Sequence, residues 1–172
     1  DVRVLRQDSD DVVASLRQVL RLAALVRDRL SPDSWRIYNR LSEFATAPEH
    51  PPRLGEALQR LDESLLSLVT LSGFVIESMP RDAGWRFLSI GRRIERLQFL
   101  ADSMAAFLRG AGARDQAALE WLLELGNSII TYRSRYLAVP QLIPVLDLLL
   151  LDTQNPHSLA FLLMVLQRSL AQ

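Results

Sequence analysis

Cysteine is missing from this 172-residue chain, which excludes disulfides, thiolate nucleophiles and cysteine-held metals. Lysine is missing too, since all 20 basic residues are arginine; no Schiff-base amine or lysine-centred phosphate site can be built. The arginines are scattered rather than gathered into a stripe, and 20 acidic residues balance them. Without net charge there is no long-range pull toward nucleic acid or an anionic surface, so neither is expected as a partner. Histidine occurs only as His50 and His157. Neither stands three residues after a carboxylate, so the Glu-x-x-His pattern of di-metal bundles is absent, and no metal or other cofactor is expected. The longest apolar runs, such as Val145 to Leu151, are broken by charges and fall short of the ~20 residues of a membrane span. Asp1 to Asp11 is neither a signal nor a transit peptide in composition. A cytoplasmic protein without a membrane partner is the expectation.

What remains is ample apolar material: 49% of residues are hydrophobic, enough for one buried core in a single domain. Val12, Val13, Leu16, Val19, Leu20, Leu22, Ala23 and Val26 recur at helical spacing after Asp8 to Asp11, which offer caps for a first helix near 10–29. Ser31-Pro32 signals the start of a second helix carrying Trp35, Ile37, Tyr38, Leu41 and Phe44. The Pro48-Glu49-His50-Pro51-Pro52 run breaks it. A third helix spans 53–79, its expected core stripe being Leu58, Leu61, Leu65, Leu68 and Val69.

Asp82 should cap a long fourth helix that runs to about Leu108 and stops at Gly110 and Gly112. A fifth covers about 115–137 with Trp121, Leu122, Leu125, Ile129, Tyr132 and Tyr136 on one side. A sixth, Leu-rich, ends near Leu151, and Asn155-Pro156 opens a last helix through Leu170. No strand-period alternation occurs. The fold class is therefore all-α, an up-and-down bundle of about seven helices.

The fourth helix carries Gly91-Arg92-Arg93-Ile94-Glu95-Arg96. On a wheel, Phe87, Ile90, Gly91, Ile94 and Leu97 form an apolar arc, and Glu95 falls between Gly91 and Leu88. Glu95 is thus expected to be at least partly buried and to need a partner, with Arg92 or Arg133 the candidates; Arg96 points about 100° away. The cluster reads either as an ion-pair network that locks helices or as an acid or anion-binding site. Tyr132 and Tyr136, flanking Arg133 and Arg135, could stack on bases, although a core stripe accounts for them better. Neither a Ser-His elbow nor a Gly-rich phosphate loop is present.

The stretch Arg81-Asp82-Ala83-Gly84-Trp85-Arg86-Phe87-Leu88-Ser89-Ile90 with Gly91-Arg92-Arg93-Ile94-Glu95-Arg96 closely resembles the signature of the bacterial alpha-E family. Arg27-Asp28-Arg29-Leu30-Ser31-Pro32-Asp33-Ser34-Trp35 and Asn155-Pro156-His157-Ser158-Leu159 are similar to two further family stretches. The earlier Gly-Arg-Tyr-x-Glu-Arg helix of that family is missing, so residues 1–172 look like the C-terminal part of a longer alpha-E-like domain. In that case an apolar patch would be exposed, through which a homodimer could form. The resemblance implies a helical module that partners or is fused to an ATP-grasp-type amide or peptide ligase, often near a transglutaminase-like protein. It would serve as a non-catalytic scaffold or substrate-site cover, with Arg92, Glu95, Arg96 and Arg133 as binding residues. The alternative is an enzyme in which Glu95 acts as acid or base in peptide or amide chemistry within an arginine-rich pocket.

Overall fold

The computed structural model describes residues 2–46, 53–110, 115–136 and 139–171. Every regular element among them is helical, as the all-α reading requires. The chain divides into two compact units, residues 1–80 and 81–172. The Pro48–Pro52 loop with His50, the helix-stopping Gly112 and the Leu137 helix end lie outside the described residues.

The first unit holds α1 (Val2–Leu25), a 3-10 turn (Arg27–Arg29), α2 (Pro32–Ala45) and α3 (Leu54–Glu77). Helix α1 starts earlier than the sequence suggests, so Asp8 to Asp11 lie within it rather than at its start. Ser31 caps α2 as expected, its Oγ accepting from Ser34 N at 3.1 Å. Helix α2 packs against both α1 and α3. Its C-terminal end leaves carbonyls without helical partners, and an arginine from each neighbouring helix supplies them. Arg17 Nε donates to Ala45 O at 3.0 Å, and Arg60 Nη2 donates to Phe44 O at 3.0 Å and Thr46 O at 3.3 Å. The Arg27–Trp35 stretch closes on itself, with the Arg27 guanidinium 4.5 Å from the centre of the Trp35 ring.

The core of this unit is Leu16, Leu41, Ala45 and Leu71. The stripe expected on α3 is not its buried face: Leu58, Leu61, Leu65, Leu68 and Val69 are all exposed, and Ser64, Ser67 and Leu71 are buried. Two helical periods run through α3, one of leucines and one of small residues. The second packs inward because Ser64 and Ser67 satisfy their hydroxyls on their own helix, at Arg60 O (2.9 Å) and Glu63 O (2.8 Å). A hydroxyl that back-bonds to its own helix can be buried without a tertiary partner.

The second unit contains α4 (Ala83–Arg109), α5 (Gln116–Leu125), α6 (Ile129–Tyr136), α7 (Leu142–Leu146) and α8 (Leu159–Leu170). A π-helical turn, Asp147–Leu151, continues α7. Asp82 caps α4, accepting from Trp85 N at 3.1 Å. Leu100, Met104 and Phe107 from the C-terminal half of α4 join Leu119, Leu122, Leu123, Tyr132, Val145, Leu148 and Leu149 in one core. Burying side chains of this size contributes about 1.5–3 kcal/mol each. Tyr132, within this core, accepts from Gln141 N at 3.1 Å, and its ring lies 4.8 Å from that of Tyr136. It offers no face to a base. Trp121, placed on the core side by the sequence, is exposed.

The expected fifth helix is two helices, α5 and α6, separated by Gly126-Asn127-Ser128. Asn127 has φ 46°, the left-handed conformation that asparagine tolerates better than most residues. Gly126 is needed for a different reason. A Cβ there would stand 2.7 Å from Leu149 Cδ2 and 3.3 Å from Leu122 O, so the π-helical turn approaches too closely for a side chain.

A buried polar knot fixes this break against the start of α8. Asn155 Nδ2 donates to Ser128 Oγ and to Leu148 O, both at 3.1 Å, while its Oδ1 accepts from His157 N at 3.1 Å. Ser158, not Asn155, caps α8: its Oγ accepts from Phe161 N at 3.0 Å and donates to Asp152 O. The Asp152 carboxylate accepts from Gln154 N at 2.7 Å and Asn155 N at 3.2 Å and pairs with Arg135. The Gln154 bond first, and Arg135 with it, holds this carboxyl below its ordinary pKa against the opposing effect of burial. Among the described residues no buried side-chain nitrogen or oxygen lacks a partner.

Candidate functional site

Within the second unit, a cleft of about 380 Å³ is lined by Glu95, Arg96, Phe99, Leu100, Leu125, Gly126, Asn127 and His157. Helix α4 provides one wall, and the knot provides the other by holding the Gly126-Asn127 turn beside His157. Asn127 Nδ2 donates to His157 Nε2 at 3.3 Å. An amide nitrogen can only donate, so the ring accepts through Nε2 and carries its proton on Nδ1. Burial first, and the positive field of Arg96 second, lower the His157 pKa from 6.5. The ring is neutral at pH 7.

Glu95 is exposed, contrary to its expected burial. It lies on the flank of the Phe87–Leu97 arc, but that arc is only partly covered: Phe87 is 76% exposed and Ile94 43%, while Ile90 and Leu97 are half-buried. The core-facing side of α4 begins only at Leu100. Gly91 admits no close neighbour either, as an added Cβ would meet nothing within 4 Å.

The two expected Glu95 partners do not line the cleft with it. Arg133 is exposed and does not line the cleft, and neither does Arg92. Burial foremost, then the charges of Arg96 and Arg93, lower the Arg92 pKa. Among the described residues the side chains of Glu95 and Arg96 make no hydrogen bond or ion pair. The structure therefore brings Glu95 and Arg96 together on one cleft, and leaves Arg92 and Arg133 outside it. Sequence reasoning missed Asn127 and His157. The usable signal was Gly126-Asn127-Ser128, a left-handed stop followed by a start residue.

Glu95-Arg96 is the only Glu-Arg dipeptide in the chain. Residues 4–172 match the family model Alpha-E, described as a predicted alpha-helical domain with a conserved ER motif. The chain belongs to the alpha-E family. Uncharacterised proteins of Mycobacterium tuberculosis and Mycobacterium bovis are 35% identical to this alpha-E chain over 160 residues, which is 87% of the chain. The match covers 18% of the length of each relative. No solved structure matches the chain. The two further stretches that resemble the family have structural roles in this alpha-E domain. Arg27 covers Trp35 in one, and Asn155 and Ser158 tie the knot in the other. The Glu-Arg pair faces outward.

No helix among the described residues is long and apolar enough to cross a membrane, and no group of histidine and carboxylate residues there could hold a metal ion.

Proposed function

We propose that this domain is a non-catalytic binding module that partners an ATP-grasp-type amide or peptide ligase in the cytoplasm and helps to form or cover its substrate site. One observation carries the reading: among the described residues the Glu-Arg pair contributes neither to the core nor to an ion pair, yet opens onto a cleft whose other wall is fixed by a buried polar knot. Rigidly supported polar groups with unused bonding capacity suit recognition. The small share of its relatives' length that the chain covers supports a module acting with other domains. A transglutaminase-like protein is a further candidate partner.

Co-expression of the domain with an ATP-grasp protein encoded beside it, followed by pull-down and turnover assays, tests this reading. A complex should form, and Glu95→Gln or Arg96→Gln should reduce ligase turnover without changing the melting temperature. Absence of a complex together with unchanged turnover would sink the proposal. A large loss of stability in either variant would instead mark the pair as a structural network.

His157 favours a second reading, in which Glu95 is an acid or base in amide chemistry, because a neutral imidazole shares its cleft. Turnover by the domain without any ligase, abolished by Glu95→Gln, would establish that reading. Exposure of Glu95 weighs against it, since acid–base sites generally exclude water.

A further inference from the structure

The lining of the cleft is mostly apolar, and its few polar groups stand in an unusual balance. Glu95 supplies one negative charge and Arg96 one positive charge from consecutive positions on α4, so the two side chains leave the helix about 100° apart. His157 adds no charge at neutral pH. Asn127 lends its amide nitrogen to His157, which leaves its Oδ1 as an acceptor and the ring Nδ1–H as a donor. Phe99, Leu100 and Leu125 make up the apolar part. A simple anion would be drawn to Arg96 and repelled by Glu95, and a simple cation the reverse. Only a ligand carrying both charges, set apart, satisfies the two together.

We propose that the cleft binds a dipolar ligand, a free amino acid or a dipeptide, with its ammonium at Glu95, its carboxylate at Arg96 and its side chain on Phe99 and Leu125. Size agrees: about 380 Å³ is near the lower end for small-molecule clefts, which suits a ligand of one or two residues. The exposed charged pair would become partly desolvated when covered, and each charge would then gain a charge-assisted bond to the ligand. The assignment rests on the binding-module reading and names the chemical class that such a module would hold.

The test uses the whole chain and four probes: L-leucine, leucyl-leucine, 4-methylpentanoate, which lacks the amine, and 3-methylbutylamine, which lacks the carboxylate. NMR signals of the Asn127 side-chain amide, the His157 ring and Arg96 Nε report occupancy. The two dipolar probes should shift these signals and bind at least ~10-fold more tightly than either half-molecule, the loss expected for one charge-assisted bond. Glu95→Gln should make leucine and 4-methylpentanoate bind alike, and Arg96→Gln should do the same for leucine and 3-methylbutylamine. Arg133→Gln, outside the cleft, should change nothing. Equal binding of a half-molecule to the unaltered protein would overturn the assignment, as would failure of all four probes at their highest soluble concentration. If the ligase complex still forms and responds to Glu95→Gln in that case, the ligand class alone is wrong. Loss of the complex defeats the module reading instead.

Discussion

Buried serines divide the two units. In residues 1–80, Ser64 and Ser67 bond back to carbonyls one turn earlier on the same helix, and Ser34 bonds the hydroxyl of Ser31, the cap of its own helix. In residues 81–172, Ser128 receives a bond from Asn155, and Ser158 reaches Asp152 and caps α8. A hydroxyl satisfied on its own helix leaves packing free to slide or be replaced, whereas one satisfied across the fold fixes which segments meet. Among the described residues the second unit also has the larger buried cluster, ten residues against four. The cleft with its Glu-Arg pair lies in the unit whose polar groups specify its geometry.

This contrast can be broken from the second unit outward, with segment-resolved hydrogen exchange and urea unfolding as readouts. Leu122→Ala should have the largest effect, about 3 kcal/mol, because Leu122 is 0% exposed and the cavity left in a tight core fills poorly. Asn155→Ala comes next at about 2 kcal/mol, since it strands the Leu148 carbonyl and the His157 amide and leaves the Ser128 hydroxyl only its own bond to Gly126 O. It should also open the cleft and raise exchange at Asn127. Gly126→Ala should cost about 1–2 kcal/mol through the clash with the fully buried Leu149. In the first unit, Ser67→Ala and Leu65→Ser should each stay within about 0.5 kcal/mol. If Ser67→Ala costs as much as Asn155→Ala, the distinction between the units fails.

The smallest effect is electrostatic. The folded-state pKa of His157 is lowered from 6.5, so the unfolded chain binds that proton more readily. Its contribution to stability is complete above pH 6.5 and declines as pH falls below that value. NMR titration should place the His157 midpoint below 6.5. Arg96→Gln should raise it only part of the way, because burial is the larger cause.

Helix existence was legible in the sequence, and so were the caps at Ser31 and Asp82. Which face of a helix turns inward was less so. In α3 the leucine period and the serine period are both helical, and hydropathy favours the wrong one; only back-bonding explains how serines could be buried. In α4 the arc and Glu95 were correctly related, yet the core contacts the helix from Leu100 onward, which depends on where α5 and α8 lie. The break at Gly126-Asn127 was written in the residues and hidden by apolar periodicity continuing on both sides. The meeting of Asn127 with His157 follows from that break, and no local pattern could show it.

Asn127 and His157 are separated by 30 positions and touch only once the knot is tied. Occupancy of the cleft is therefore thermodynamically coupled to completion of the second unit. A ligand recognising the folded arrangement alone stabilises it by RT ln(1 + [L]/Kd), about 2.7 kcal/mol at a hundredfold excess over Kd. An upward shift in the melting of this unit can thus screen for ligands without any assay of chemistry.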